Sequence, residues 1–180
     1  MSFIAIFGIL IVSWGVLTYN TLVMLRGRID NSWAQIDVQL KRRFNLIPNL
    51  LSSVKGYAKH EKETLEEVTA SRTKYLSAKT PEEKLEANSG LAGALSRLFA
   101  VAENYPDLKA NTNFLDLQKQ LKDTEDKIGF SRQFYNDTAM KFNIAIVKVP
   151  ASIIANLFGF TSRPYFKTEE EERKNVEVKF

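Results

Sequence analysis

Residues 33–58 read WAQIDVQLKRRFNLIPNLLSSVKGYA, and their apolar positions recur in alternating steps of three and four. Trp33, Ile36, Leu40, Phe44, Ile47, Leu51, Val54 and Ala58 share one stripe, the pattern of a helix that buries one face against other helices. The register runs on to Leu65, Val68 and Tyr75, with Glu61 and Arg72 in the two intervening slots. One continuous helix, or two nearly collinear ones, is the economical reading. Pro48 removes a backbone hydrogen bond and crowds the preceding turn, so a bend is expected there. It lies beside Ile47, and the stripe keeps its register.

Toward the C-terminus the next helix is announced by its cap. Thr80 suits the N-cap, Pro81 the first helical position, and Glu83 completes a capping box. The stripe that follows is Leu85, Asn88, Ala92, Leu95, Phe99 and Ala102, ended by Asn104-Tyr105-Pro106-Asp107. A third helix begins between Asp107 and Asn113. It carries Phe114, Leu117, Leu121, Thr124, Ile128, Ser131, Tyr135, Thr138, Phe142, Ala145 and Val149. Thr124, Ser131 and Thr138 recur every seven residues, a row suited to close packing or inter-helix hydrogen bonds. Pro150 then starts a short apolar helix over residues 151–158, with Gly159 as its stop. No stretch alternates with period two, so no sheet is expected.

Toward the N-terminus, Met1 to Leu25 carries no charged side chain. About 20 apolar residues suffice to cross a bilayer, so the segment is long enough, with some tilt. Trp14 and Tyr19 suit the membrane interface. A cleaved signal peptide is the competing reading. Against it stand the missing basic n-region, an apolar run longer than usual and the lack of a small-residue cleavage site. Arg26, Arg28, Lys41, Arg42 and Arg43 follow the span, so the positive-inside rule puts the body in the cytoplasm. Gly8 and Gly15 share a face with Ala5 and would permit close helix association in lipid, although Gly is common in membrane helices. Continued from the span, the first helix would reach on the order of 110 Å.

The resulting fold class is all-α: a long antiparallel helical bundle with an N-terminal transmembrane helix. The expected division is an anchor over 1–25, the bundle over 26–160 and a charged tail over 161–180. Helices of such unequal length leave part of the long seam for the membrane or for another copy. The composition agrees, with only 8 Gly and 5 Pro in 180 residues. With Cys 0, disulfides, thiolate metal sites and cysteine nucleophiles are excluded. A net charge of +4 permits attraction to anionic lipid without demanding nucleic acid.

Several separated motifs occur in order along the chain. They are Asn31-Ser-Trp33-Ala-Gln35-Ile-Asp37-Val-Gln39-Leu-Lys-Arg42-Arg43-Phe-Asn-Leu-Ile47-Pro48-Asn49, Val54-Lys55-Gly56-Tyr57-Ala58, Glu103-Asn-Tyr105-Pro106-Asp107-Leu-Lys109, Phe134-Tyr135-Asn136 and Phe158-Gly159-Phe160. Together they resemble the LemA family over essentially the whole chain. The resemblance implies a bacterial inner-membrane protein with a helical-bundle body and no established enzymatic activity. One branch of that family is associated with magnetosome membranes, which points to membrane shaping or organisation. Many members begin with a basic N-terminal tail, which implies an N-inside topology for the family, and this chain lacks that tail.

The residues offer little catalytic chemistry. His60 is the single histidine and has no companions for a metal cage or a catalytic site. No catalytic, cofactor-binding or metal-ligating residue is expected. The interaction candidates are Asp37, Arg42, Arg43 and Asn49 near the first seam, and Phe158, Phe160, Tyr165, Phe166 and Phe180 toward the C-terminus. Arg42 or Arg43 could pair with a carboxylate on the third helix and set register, or the set could meet lipid headgroups or a partner. Lys41-Arg42-Arg43 lies about 24 Å beyond Leu25 on a straight helix, and no aromatic platform for RNA accompanies it. Glu169 to Glu172 reads either as a solvated tail or as part of a docking peptide bearing Tyr165, Phe166, Val176, Val178 and Phe180. The function expected is a self-assembling scaffold that contacts lipid. The alternative is an adaptor or accessory subunit of another membrane protein, and an enzyme ranks last.

Overall fold

Helix formers dominate after the first segment, and the stripes they carry fold on one another. The computed structural model describes residues 2–58 and 60–166. Its helices are α1 (Ser2–Lys55), α2 (Lys62–Ser77), α3 (Pro81–Ala102), α4 (Pro106–Lys109), α5 (Thr112–Val147) and α6 (Ala151–Leu157), with no strand among the described residues. The fold is all-α, as the periodicity predicts. Two compact units divide the chain, unit 1 being Met1–Ala34 with Ser131–Phe180 and unit 2 being Gln35–Phe130.

Unit 2 is an up-down-up-down bundle of α1, α2, α3 and α5. Lys74–Glu86, Ser71 against Gly90, and Glu67–Arg97 step backward along α2 as they step forward along α3, so these two helices are antiparallel. The pairs Asp37–Lys84 and Arg43–Asn88 advance together, so α1 and α3 are parallel. Between them lies a core of Ile36, Leu40, Phe44, Ile47, Leu50, Val54, Leu65, Val68, Leu91, Leu98, Phe114, Leu121 and Ile128, all buried. Each such side chain contributes about 1.5–3 kcal/mol on burial.

One expectation needs correction. The chain does not continue straight past Gly56. It turns over Gly56–Glu61 and comes back, so that Phe44 and Tyr75 stack with centroids 3.8 Å apart. The turn is closed by bonds from the Tyr57 and Ala58 amides to the Val54 carbonyl, at 3.0 and 2.9 Å. Ala58 is buried within the turn and Leu65 resumes the stripe beyond it, so the three–four count passes through a reversal unbroken.

The start of α3 is as the sequence predicts. Thr80 Oγ1 accepts from the Glu83 amide at 3.2 Å, and the Glu83 carboxylate accepts from the Thr80 and Lys79 amides at 3.2 and 2.6 Å. Those amide bonds hold the Glu83 carboxyl below its ordinary pKa. At the far end, α4 buries Leu108, Tyr105 donates to Glu61 at 3.0 Å, and Asn111 donates to Tyr57 at 3.1 Å. The Tyr57 and Tyr105 motifs therefore tie down this end of the bundle.

Unit 1 is thinner. Leu22 and Ile29 of α1 are buried, as are Tyr135, Ala139 and Phe142 of α5 and Ala155 of α6. Helix α6 turns 95° away from α5 after a corner containing a cis Val149–Pro150 bond. Val149 was expected on the α5 stripe. It lies beyond the last residue of α5 and is 78% exposed. Gly159 adopts φ 67°, which lets the Phe160 amide reach back to the Ala155 carbonyl at 2.9 Å and close the helix. From Phe3 to Leu17, α1 presents large apolar side chains outward, and the helix is long and apolar enough toward its N-terminal end to cross a membrane.

Candidate functional site

Two constellations stand out, one in each unit. In unit 2 the α1 seam carries Arg43 inward beside Phe44, and only 4% of the residue is exposed. Its Nη1 donates to Asn88 Oδ1 of α3 at 2.8 Å and forms an ion pair with Glu125 of α5. The pairing expected of Arg42 or Arg43 is thus made by Arg43, while Arg42 is exposed. A buried guanidinium is tolerated only when paired, and this pair spans three helices. Six residues earlier on α1, Asp37 accepts from Lys84 Nζ at 2.6 Å. Together the contacts fix α1 against α3 at two heights. Burial, and then the Asp37 charge, push the Tyr75 phenol up to about 12.

A cleft of about 290 Å³ opens beside the node between Leu95, Phe99, Leu121 and Glu125. Among the described residues no three His, Asp or Glu side chains gather to hold a metal ion, and His60 is exposed. Asn49 is exposed too, and its carbonyl accepts from Ser53 Oγ at 3.0 Å. The chemistry open to this node is alignment: three helices held in one register by a largely buried guanidinium. Thr124 and Thr138 donate to carbonyls of their own helix, at 2.8–2.9 Å, rather than across to a neighbour.

In unit 1 the C-terminal aromatics pack on their own chain. Phe158 lies against Tyr19 with centroids 4.6 Å apart, and Phe160 touches Tyr19 and Phe142 at 5.9 and 6.2 Å. Arg26 lies over the Phe160 ring at 5.6 Å. Phe166 packs between Trp33 and Tyr135, at 5.7 and 4.4 Å, and Tyr165 is exposed. Phe180 lies outside the described residues, as do Val176, Val178 and Glu169 to Glu172.

The extended segment over 160–166 is pinned by two asparagines on α5. Asn143 donates to the Arg163 carbonyl and accepts from its amide, both at 2.8 Å. Asn136 treats Phe166 the same way, at 3.0 and 2.8 Å. Seven helical residues rise about 10.5 Å and three extended residues span about 10 Å, so the two side-chain amides meet backbone groups three residues apart. The sequence reading missed Asn136 and Asn143 as pins. Their seven-residue spacing, one position after Tyr135 and Phe142, was the available signal. It also missed Asn88 and Glu125 as the partners of Arg43.

Comparison with known proteins gives this geometry relatives. The family model described as "LemA family" matches residues 32–180. "Protein LemA" of Metamycoplasma hominis is 29% identical over 163 residues, covering 88% of this chain and 73% of that protein. "Magnetosome protein MamQ 2" of Paramagnetospirillum magneticum is 26% identical over 175 residues, covering 83% of this chain and 64% of that protein. "Magnetosome protein MamQ" of Magnetospirillum gryphiswaldense is 35% identical over 82 residues, 46% of this chain and 30% of that protein. The chain therefore spans a little under two thirds of the Paramagnetospirillum magneticum relative's own length.

Proposed function

The chain belongs to the LemA family, and from that premise we propose that it is a membrane-anchored helical scaffold. It assembles with further copies of itself at the bacterial inner membrane and organises or shapes that membrane. α1 supplies the anchor, and Arg26 and Arg28 just beyond it favour a cytoplasmic body. The work is structural rather than enzymatic. The partners this reading calls for are lipid and other copies, not nucleic acid. Relatives named as magnetosome proteins support a role at a membrane.

The observation that carries self-assembly lies outside the span. Phe130 and Phe134 stand four residues apart on α5, one helical turn, and are 71% and 54% exposed. Two large aromatics left outward one turn apart on α5 mark an interaction surface. Light scattering on the full-length protein in mild detergent tests this. A large uniform particle is expected, and Phe130→Ser with Phe134→Ser should reduce it toward the 20.5 kDa single chain. A wild-type monomer would sink the scaffold and favour the accessory subunit of another membrane protein. Phe158 and Phe160 are poorer choices for such substitutions, because both support Tyr19 within the chain.

A further inference from the structure

We infer that the α5–α6 corner is a second membrane element: it seats in the acyl–headgroup boundary of the leaflet through which α1 leaves the bilayer. This rests on the membrane-crossing part of the reading above and is independent of self-assembly. The first argument is depth. About 20 helical residues cross the hydrocarbon core, so a span beginning at Phe3 ends near Leu22. Yet α6 touches α1 well inside that limit. Ile154 Cδ1 lies 3.6 Å from where a Cβ on Gly15 would stand, and Phe158 packs on Tyr19. At 1.5 Å per residue, Gly15 lies about 10 Å and Tyr19 about 5 Å within the span. Whatever packs on Gly15 shares its depth.

The second argument is the chemistry of the face that α6 turns away from α1. Ile153 and Leu157, one turn apart on α6, are 63% and 73% exposed, and Val147 of the corner is 70% exposed. In water that face is a liability, and in acyl chains it is solvated. The 95° bend turns α6 across the axis of α5, the attitude of a helix that lies along an interface rather than through it. The third argument is charge. From Thr138 to Phe166 the chain carries Lys141, Lys148 and Arg163 and no acidic residue. Arg163 is paired with Asp30 of α1 at 3.5 Å, so the one-sided charge is that of Lys141 and Lys148. Lysines beside an apolar face reach up to lipid phosphates on their aliphatic stems. A protein partner would need no such one-sided charge, whereas an anionic leaflet matches it.

The test uses the cysteine-free background. A polarity-sensitive fluorophore is attached in turn to full-length Ile153→Cys, Leu10→Cys and Leu115→Cys, reconstituted into vesicles of phosphatidylcholine and phosphatidylglycerol. Spin-labelled lipids and aqueous iodide serve as quenchers. Lipid quenching on Ile153→Cys should be of the same order as on Leu10→Cys and several-fold above that on Leu115→Cys. If Leu10→Cys is lipid-quenched but Ile153→Cys is open to iodide, the corner stays in water and the inference falls while the span stands. If Ile153→Cys is shielded from both quenchers, a second copy covers the face and the inference falls too. If Leu10→Cys escapes lipid quenching, the inference falls with its premise.

Discussion

Unit 2 closes its stripes on one another, whereas unit 1 leaves much of its apolar surface outward. In unit 2, Phe44, Leu91, Leu98 and Leu121 all vanish into a four-helix interior, and the buried Arg43 is answered by an amide and a carboxylate. In unit 1, Ile153, Leu157 and the long apolar start of α1 face outward, and the contacts that hold it are rings and backbone pins rather than a deep core. The same helical period serves both. On the reading proposed above, what separates them is the solvent each face is built for, and charge placement agrees with it. Acids and bases intermingle along unit 2, while acids are absent after Asp137 until the tail.

That contrast can be broken at its strongest point by truncating the core. Phe44→Ala should cost about 3–5 kcal/mol in the thermal or denaturant unfolding of the body. Leu10→Ala, although it too removes a large apolar side chain, should leave the same transition unmoved. A comparable loss at both positions would mean that α1 buries its first turns against protein. The polar node sharpens the contrast further. Arg43→Ala should cost about 3 kcal/mol, at the lower end for a broken buried pair because the Glu125 side chain is 42% exposed. Arg43→Met with Asn88→Leu should recover part of that loss in the same unfolding measurement, since an apolar interior needs no register pin to be stable. The smallest effect belongs to the strap of unit 1. Asn143→Ala should cost about 1–2 kcal/mol and raise amide hydrogen exchange at Arg163, while exchange in the unit 2 core stays as it was. Unchanged exchange at Arg163 would show that the aromatic contacts alone hold the strap.

Much of this architecture was legible in the residues. The stripe from Ile36 to Val54 is buried nearly as read, and the Thr80–Glu83 box and the Gly159 stop stand where their chemistry puts them. The reversal at Gly56–Glu61 was not legible, because a turn that preserves the three–four count leaves no gap in it. Neither was the inward choice of Arg43 over Arg42. Its partners lie 45 and 82 residues away, and distance along the chain carries no local signal. The aromatics from Phe158 to Phe166 were legible only as interaction candidates, because their partners within the chain, Tyr19, Trp33 and Tyr135, lie on elements that only folding brings near.

The asparagine pins have a consequence for how this region can vary over generations. The strap and α5 agree only because three extended residues and seven helical ones happen to measure nearly the same distance. Substitution between Arg163 and Phe166 leaves that agreement untouched, since the pins grip main-chain atoms. A single residue gained or lost there shifts the far pin by about 3 Å and forfeits both of its bonds. The exposed side chains between the pins, Pro164 and Tyr165, are free to drift, and the length of the strap is not.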